Sequence, residues 1–428
     1  MTTITVLDSI MGSGKTTYVI NMINTQHTKD LAQSFANADH EPTRFLVVVP
    51  LLSEVDRFTH SCPDLRFKDP QPVHSRKLYH LERLIDDGEN VVTTHALFRM
   101  LDRTIYGKLK SKGYKLIVDE ALECVEMFDK LSEKDRKLLF DNNMVYVDKD
   151  TRRLRWNYET HPDYSGRFTD FKHLCDIGSL VFIKDKILLW EFPSEFLTCF
   201  NEVLVCTYLF KGSPFYAYLQ AEGFDIHMNT IMDGSLCEWD EGRGDEKIRS
   251  QLRSLITIYE GPMNRRGDAN GLSNPLSSTW FGKASPEELK GLRSSTETFF
   301  ARVAKSPSKV NGWTTFAKVK AKLAGKGYTR GWIPNNAKGT NDYVDKQAMA
   351  YLCNWFYHPV IKGYFHERGI TVDEDMYALS AMIQWIWRSR IRRGEPIHVF
   401  IPSERMRGLL REWLNPVVYH SNSFKRAA

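Results

Sequence analysis

The stretch Ile-Thr-Val-Leu-Asp-Ser-Ile-Met-Gly-Ser-Gly-Lys-Thr-Thr, residues 4–17, decides the fold of the first part of the chain. It begins as an apolar strand, turns through two glycines and runs into the helical pattern of residues 18–23. Such a turn lets successive backbone N–H groups surround a phosphate chain at the positive end of a helix. The ammonium of Lys15 can then reach the β- and γ-phosphates, and the hydroxyl of Thr16 can hold Mg²⁺. The stretch therefore predicts a nucleotide-binding loop made of Gly12, Ser13, Gly14, Lys15, Thr16 and Thr17.

A second stretch, Leu116-Ile117-Val118-Asp119-Glu120, has the pattern of a buried strand that ends in two carboxylates. Asp119 is expected to bind the magnesium ion through water, and Glu120 to polarise the attacking water. An acidic pair alone is often just a solvated strand end, but the apolar residues before it and the loop upstream favour a site. Together the two stretches predict hydrolysis of a nucleoside triphosphate, with ATP and Mg²⁺ as the cofactors.

Further strands and helices alternate along the first half of the chain. Short apolar runs rich in β-branched residues, typical of parallel strands buried on both faces, predict strands. They lie at residues 45–50, 90–95, 115–118 and 202–207, and helical patterns lie between them at residues 78–86 and 96–101. This alternation behind a phosphate-binding loop predicts a doubly wound α/β domain with a parallel sheet.

The long span between the acidic pair and the strand at 202–207 is interpreted as an insertion. Residues 148–158 and 180–190 each have the pattern of a β-hairpin, and the second has a charged turn. We therefore predict an insertion at about residues 130–198 of the first domain.

A domain boundary is predicted where glycine and acidic residues accumulate, at residues 225–244. This gives a first domain at residues 1–230 and a second at residues 231–428. Predicted elements of the second domain are strands at residues 254–259, 313–316 and 397–401 and a helix at residues 376–390.

The composition is typical of a soluble globular protein. Of the 428 residues, 42% are hydrophobic and 26% are charged, and no run of about 18 apolar residues occurs. The N-terminus lacks the pattern of a signal peptide. Seven cysteines are scattered singly, which favours reduced thiols in the cytosol over disulfides or a zinc site. We expect a cytoplasmic protein with no membrane partner.

Charge is unevenly distributed along the chain. The net charge of +5 is compatible with nucleic-acid binding without requiring it. Basic residues accumulate at 302–330 and at 388–411, and acidic residues at 119–150. Such runs are most often solvated helix faces. The order of residues at the start of the second basic run nevertheless indicates a more specific role.

Residues 384–394, Gln-Trp-Ile-Trp-Arg-Ser-Arg-Ile-Arg-Arg-Gly, come between a helical pattern and a strand. Here the chain resembles the superfamily 2 helicases and translocases, whose last core motif reads Gln-x-x-Gly-Arg-x-x-Arg. Gln384 and Arg388 fall at matching spacing, and Trp387 stands at the position of the glycine. Ile391 stands at the position of the second arginine, with Arg390 and Arg392 beside it. In that family one arginine neutralises the charge that develops during phosphoryl transfer. The resemblance leaves this role open between Arg388 and Arg392.

The resemblance covers much of the chain. Other segments that resemble motifs of the family, in chain order, are Ser9–Thr16, Val48–Ser53, Thr93–His95, the Asp119–Leu122 counterpart of the DEAD/DEAH box, Cys206–Tyr208 and Gly339–Tyr343. The resemblance is strongest to compact helicase-like proteins carried by bacteriophages and related mobile elements. It implies two RecA-like domains, each a mostly parallel sheet flanked by helices, with ATP bound in the cleft between them.

The resemblance also implies a nucleic-acid partner, DNA more than RNA, and a bacterial host's cytoplasm as the location. Gln384 and an arginine would close over the γ-phosphate, so that closure of the cleft follows the nucleotide state. Replication or recombination proteins are the expected protein partners. The residues implied in contact with the nucleic acid are Pro50, Leu51, Thr93, Thr94, His95, Thr340 and Asn341.

Two other functions share the same core motifs. A viral DNA-packaging motor normally adds a C-terminal metal nuclease, which needs clustered carboxylates. The dense late cluster at residues 373–375 is better explained as acids in the first turn of a helix. The other alternative is an ATP-dependent protein switch that does not unwind nucleic acid. Stimulation of ATP hydrolysis by nucleic acid would distinguish a translocase from such a switch.

Overall fold

The structure is a computed structural model that describes residues 2–72, 77–184, 186–240, 244–269, 274–335 and 342–416. The chain forms two compact units. Unit 1 comprises residues 1–243 and 357–373, and unit 2 comprises residues 244–356 and 374–428.

The strands of the two units are short and mostly parallel. In chain order they are β1 Thr3–Asp8, β2 Phe45–Val49, β3 Val91–Thr94, β4 Lys115–Asp119, β5 Val125–Met127, β6 Val145–Val147, β7 Leu154–Trp156, β8 Leu180–Ile183, β9 Ile187–Glu191, β10 Glu202–Thr207, β11 Asp225–Met232, β12 Ser235–Glu238, β13 Ile256–Ile258, β14 Asn311–Thr314, β15 Ala348–Tyr351 and β16 Ile397–Phe400.

The α-helices connect these strands. They are α1 Lys15–Ala36, α2 Leu52–Ser61, α3 Lys77–Asp86, α4 His95–Phe98, α5 Tyr106–Lys112, α6 Glu133–Asp141, α7 Thr169–Asp176, α8 Pro214–Ala221, α9 Glu246–Leu255, α10 Ser278–Lys283, α11 Pro286–Thr298, α12 Lys320–Leu323, α13 Pro359–Glu367, α14 Glu374–Ile386 and α15 Glu404–Leu414. Among the described residues, none of these helices combines the length and apolar character that crossing a membrane requires.

Unit 1 is built on a seven-stranded sheet with the order β12-β11-β1-β10-β4-β2-β3. Its strands run parallel except β12, which pairs antiparallel with β11. Strand β2 is buried throughout because apolar side chains pack on the sheet, among them Ile23 of α1 and Phe58 of α2 against Val47 and Ile117. The predicted strands at 45–50, 90–95, 115–118 and 202–207 and the predicted parallel α/β sheet are confirmed.

The chain between β4 and β10 forms two small antiparallel sheets outside the main sheet. One contains β5, β9 and β8 in that order, and the other is the hairpin of β6 and β7. The hairpin predicted at 180–190 is confirmed, whereas the one predicted at 148–158 begins earlier, with β6 at Val145, and residues 148–153 are the connection between its strands. Aromatic residues, including Trp156, Phe171 and Phe182, form a hydrophobic core of this insertion that is separate from the main core.

The chain leaves unit 1 later than the predicted boundary at residue 230, which falls inside β11. Some of the accumulated glycine and acidic residues form the tight turn between β11 and β12, where Asp233 and Gly234 adopt positive φ angles of 47° and 80°. This hairpin completes the sheet of unit 1. Turn residues at a hairpin therefore produced the same composition signal as a linker.

Unit 2 is built on a four-stranded parallel sheet with the order β13-β16-β15-β14. Aromatic side chains such as Phe299, Trp313 and Phe400 fill its core. The predicted two-part α/β architecture with parallel sheets flanked by helices is therefore confirmed. Helix α14 begins with Glu374 and Asp375 in its first turn, as predicted, but ends at Ile386 rather than Arg390.

Candidate functional site

The loop after β1 has the backbone conformation that its glycines permit. Gly12 and Gly14 have φ angles of 84° and 91°, a left-handed region that a residue with a Cβ atom rarely adopts. The N–H group of Ser13 donates to the carbonyl of Ile10 at 3.2 Å, which closes the turn. Gly14 is the N-cap of the 22-residue helix α1. The loop therefore lies at a helix N-terminus, where backbone N–H groups and the helix dipole favour an anion.

Lys15, Thr16 and Thr17 form the first turn of α1. The ammonium of Lys15 lies back over the loop and donates to the carbonyls of Ser9 at 2.5 Å and Ile10 at 3.2 Å. The hydroxyl of Ser13 is buried, with no hydrogen-bond partner among the described residues. The loop thus brings together an ammonium, hydroxyls and backbone N–H groups, the donors that a phosphate chain accepts from.

Polar side chains before the glycines fix the loop to two neighbouring strands. The buried carboxylate of Asp8 accepts from the backbone N–H groups of Leu209 at 2.8 Å and Phe210 at 3.1 Å. The hydroxyl of Ser9 lies 2.9 Å from that of Thr230 and accepts from the N–H group of Ile231. The sequence placed Ser9 in a motif-like segment without indicating its role, and the roles of Asp8 and Thr230 were missed. Polar residues at the carboxyl end of a strand are the only signal that could have indicated the first two.

The strand order brings the acidic pair to the same edge as the loop. Strand β10 lies between β1 and β4, with Asp8 opposite Thr207 and Asp119 opposite Cys206. Two strand spacings, about 10 Å, therefore separate the end of β1 from Asp119. Carboxyl ends of parallel strands are where open α/β sheets bind ligands. The backbone N–H group of Glu120 donates to the Cys206 carbonyl at 2.8 Å, which fixes the acidic pair to β10.

The electrostatics of Asp119 follow from its burial. Burial and then the charge of Glu120 raise the pKa of Asp119 to about 7, while Lys15 acts in the opposite direction. A partly buried carboxylate whose pKa is raised in this way is expected to ionise fully at neutral pH only beside an additional positive charge. The hydroxyl of Thr16 and the carboxylate of Asp119 are oxygen ligands of the kind that Mg²⁺ prefers.

The segment after β3 is connected to the acidic strand. His95 contacts the backbone carbonyl of Asp119 through its Nε2 atom at 2.8 Å. The hydroxyl of Thr94 accepts from the N–H group of Leu97 and caps α4. Thr93 is only 1% exposed, so its side chain lies in the core and not on the surface predicted to contact nucleic acid. Pro50 and Leu51, at the end of β2, are partly exposed at the same edge of the sheet.

The remaining predicted residues belong to unit 2. Gln384 lies in α14 and donates to the hydroxyl of Ser380 at 3.3 Å. Arg388 follows the helix and is 6% exposed, whereas Arg392 is exposed on a short 3₁₀ turn. The hydroxyl of Ser389 caps this turn, which explains why the helix does not continue to residue 390. Thr340 and Asn341 lie outside the described residues.

Comparison with known proteins gives family matches in two parts of the chain. A family model described as the YonV C-terminal Rossmann-like domain matches residues 250–414. A second, described as the YonV middle domain, matches residues 125–190, which include the small sheets of the insertion.

One relative matches along almost the whole chain. The SPbeta prophage-derived protein YonV of Bacillus subtilis (strain 168) is 37% identical over 427 residues, which cover 97% of this chain and 99% of the relative. Among solved structures, that of S. tokodaii Xpd4 is 12% identical with a TM-score of 0.44, and the match covers 96% of this chain and 94% of that chain.

Proposed function

The chain belongs to the YonV family, and we propose that it is an ATP-dependent helicase or translocase that acts on nucleic acid. The proposal depends above all on one observation. A loop with two left-handed glycines follows β1 and leads into α1, and the Asp119–Glu120 pair lies at the end of β4. Both are at the same edge of the sheet, and β10 lies between the two strands. This arrangement suits a bound triphosphate with Mg²⁺ and an attacking water.

In the proposed mechanism, each residue of unit 1 has a separate role. Lys15 turns from the loop carbonyls to the β- and γ-phosphates, and the N–H groups of residues 12–17 bind the phosphate chain. Thr16 and Asp119 would hold Mg²⁺, which would neutralise charge on the phosphates. Glu120 orients the attacking water. The buried hydroxyl of Ser13, which lacks a partner among the described residues, is a further donor for the same ligand.

The roles proposed for residues of unit 2 come from the resemblance alone. By the resemblance to superfamily 2, Gln384 and either Arg388 or Arg392 close over the γ-phosphate and stabilise the charge of the transition state. Closure then depends on the nucleotide, and hydrolysis resets it. Each cycle moves the protein along the polymer.

The proposed partner is nucleic acid, single-stranded or branched DNA more than RNA. Pro50, Leu51, Thr94 and His95 are the proposed contacts from unit 1, with Thr340 and Asn341 from unit 2. Contacts of this kind go mainly to phosphates and give little sequence preference. A prophage-derived relative supports a phage-encoded protein that works in the cytoplasm of a bacterial host, with replication or recombination proteins as partners.

Steady-state ATP hydrolysis tests the proposal. It is measured alone and with single-stranded DNA, duplex DNA or RNA, with Lys15→Ala as the control that removes the phosphate contact. We expect stimulation of several-fold by one polymer, strong dependence on salt, and loss of turnover in the variant. Turnover that no polymer stimulates would contradict the proposal and favour an ATP-dependent protein switch. Turnover that survives in Lys15→Ala would place hydrolysis outside this site.

A further inference from the structure

One long segment of unit 2 carries only positive charge. Between Thr298 and Asn335 the chain contains no aspartate or glutamate. The whole protein is nearly balanced, with 58 basic and 53 acidic residues, so this separation of charge is local. The basic residues of the segment are Arg302, Lys305, Lys309, Lys318, Lys320, Lys322, Lys326 and Arg330.

The segment wraps around β14, the edge strand of the sheet of unit 2. It enters β14 through a 3₁₀ turn at Ser308–Val310 and leaves at the carboxyl end. It then returns through α12 to a second 3₁₀ turn at Thr329–Gly331 beside the start of the strand. The side-chain amide of Asn311 donates to the carbonyl of Gly327 at 2.8 Å, which fixes the returning chain. Cations therefore lie in the turns at the amino end of β14, Lys309 and Arg330, and in the segment that follows its carboxyl end, Lys318 and Lys322.

The two turns meet closely at the amino end of β14. A Cβ atom on Gly331 would lie 2.0 Å from the carbonyl oxygen of Asn311, so only glycine allows this approach. Beside the contact is a cavity of about 580 Å³ whose lining includes Ser308, Lys309, Tyr328, Thr329, Arg330 and Lys346. The ammonium of Lys346 donates to the carbonyl of Lys309 at 2.7 Å, so three cationic side chains border the cavity.

The cations of the segment differ from other arginines of unit 2 in their pairing. Arg405 pairs with Asp375, and both Arg407 and Arg411 pair with Glu260. Lys320 lies over the ring of Trp332 at 3.9 Å. The other seven cations of the segment form no ion pair with a carboxylate within the described ranges. Of the cations that border the cavity, Lys346 pairs with the carboxylate of Asp345, 3.6 Å from its Nζ atom. Unpaired cations along one edge raise the local positive potential and attract an anion.

We infer that this basic edge, defined by Lys309, Lys318, Lys322, Lys326 and Arg330, binds the phosphate backbone of a nucleic acid. A polymer fits better than a small anion because the cations lie at both ends of a strand of four residues, about 13 Å long, and not only around the cavity. Lysine side chains contact phosphates as point charges, so the basic edge binds without sequence preference and without nucleotide in unit 1. That the basic edge binds a polyanion follows from its charges. That the polyanion is a nucleic acid rests on the proposed function.

Binding without ATP tests the inference. Fluorescence anisotropy of labelled single-stranded DNA and RNA oligomers is followed over a range of salt for the triple variant Lys309→Ala, Lys326→Ala and Arg330→Ala. The matched control is Lys110→Ala, Lys137→Ala and Lys149→Ala, three exposed lysines of unit 1 with the same loss of charge. We expect affinity to fall at least tenfold and the salt slope by about 2–3 in the first variant, and less than twofold change in the control. Thermal unfolding verifies that both variants are folded.

Three results would overturn the inference. One is unchanged affinity in the variant of the basic edge, and another is an equal loss in the control, which would be an effect of net charge alone. The third is that the variant of the basic edge binds phosphatidylserine vesicles more weakly but binds the oligomers as wild type does. Failure of the proposed function is distinguishable, because a protein that hydrolyses no ATP but binds the oligomers through the basic edge would still agree with the inference.

Discussion

At the residue scale, Glu120 has the most unusual backbone conformation of the site. Its φ angle is 70°, in the left-handed region that a residue with a Cβ atom adopts at a cost of about 1 kcal/mol or more. The hydrogen bond from its N–H group to the Cys206 carbonyl holds this conformation. Backbone strain of this kind concentrates at functional sites, where it fixes the direction of a side chain.

Glu120→Gln tests the proposed role of this carboxylate. The amide has the same shape but cannot take up a proton, so we expect ATP binding within about threefold of wild type and hydrolysis reduced about 100-fold or more. Nucleotide affinity by fluorescence titration and single-turnover hydrolysis measure the two effects separately. Turnover within a few-fold of wild type would show that Glu120 does not orient the water.

The two candidate arginines are separated by paired variants. One of the two arginines is proposed to act on the transition state. We expect its replacement by alanine to reduce turnover about 100-fold or more, with little change in ATP affinity. Arg388→Ala and Arg392→Ala are compared, with the exposed neighbour Arg393→Ala as control. Because Arg388 is buried, its variant is first examined by thermal unfolding. Equal losses of turnover and affinity would indicate a binding role instead.

The sequence alone could suggest roles for Lys15 and Asp119 because those proposed roles depend on neighbours in the chain. The roles of Asp8 and Ser9 depend on residues about 200 positions away, Leu209 and Thr230, and no local pattern indicates such partners. The burial of Thr93 likewise follows from the packing of β3 and not from its own segment.

At the element scale, α1 is tied to the chain before β2 by a buried carboxylate. Asp30 is 3% exposed and accepts from the backbone N–H group of Thr43 and the amide of Gln26, both at 2.9 Å. Burial alone would raise its pKa, but the hydrogen bonds from Thr43 and Gln26 outweigh it and lower the pKa below the ordinary value. The ionised form therefore stabilises the fold above the ordinary pKa, and this stabilisation is lost as the pH falls through the lowered pKa.

Asp30→Asn removes this contribution. We expect the free energy of unfolding to fall by about 1–3 kcal/mol at pH 7, because one acceptor becomes a donor facing the Thr43 N–H group. The difference from wild type should narrow toward pH 3. Urea denaturation at several pH values measures it, and Asp39→Asn, at an exposed aspartate, is the control. A difference that does not change with pH would contradict the assigned cause.

The elements that sequence reasoning missed lack a local signal. Strand β15, Ala-Met-Ala-Tyr, contains no β-branched residue, and its extended form depends on pairing with β14 and β16. In contrast, β2 is a continuous apolar run and β4 contains one at Leu116–Val118, so their pattern alone predicted them.

At the scale of the whole molecule, residues 357–373 belong to unit 1 although the chain on both sides belongs to unit 2. Glu191, at the end of β9, is almost fully buried and pairs with Arg153 at 2.5 Å and with Arg368 at 3.3 Å. The hydroxyl of Tyr364 in α13 also donates to Glu191. Arg368 pairs in addition with Glu222 at 2.5 Å. This network fixes α13 to the insertion and to α8.

Glu191→Gln tests how much this network stabilises the fold. Removing one charge leaves Arg153 and Arg368 partly buried without their shared carboxylate, so we expect a loss of about 2–4 kcal/mol in the free energy of unfolding. Glu222→Gln removes a carboxylate that pairs, among the residues the structure describes, with Arg368 alone, and it should cost about 1 kcal/mol or less. Chemical denaturation measures both variants. Equal effects would mean that Glu191 is not the centre of the network.

The path of α13 has a consequence for modularity. The chain passes from one unit to the other after residue 243, after residue 356 and after residue 373, so neither unit corresponds to one uninterrupted stretch of the gene. A single recombination break cannot exchange one unit for a homologous one without dividing Glu191 from Tyr364 and Arg368. A chimera that keeps both units intact needs three junctions, and the two units are therefore expected to be inherited together.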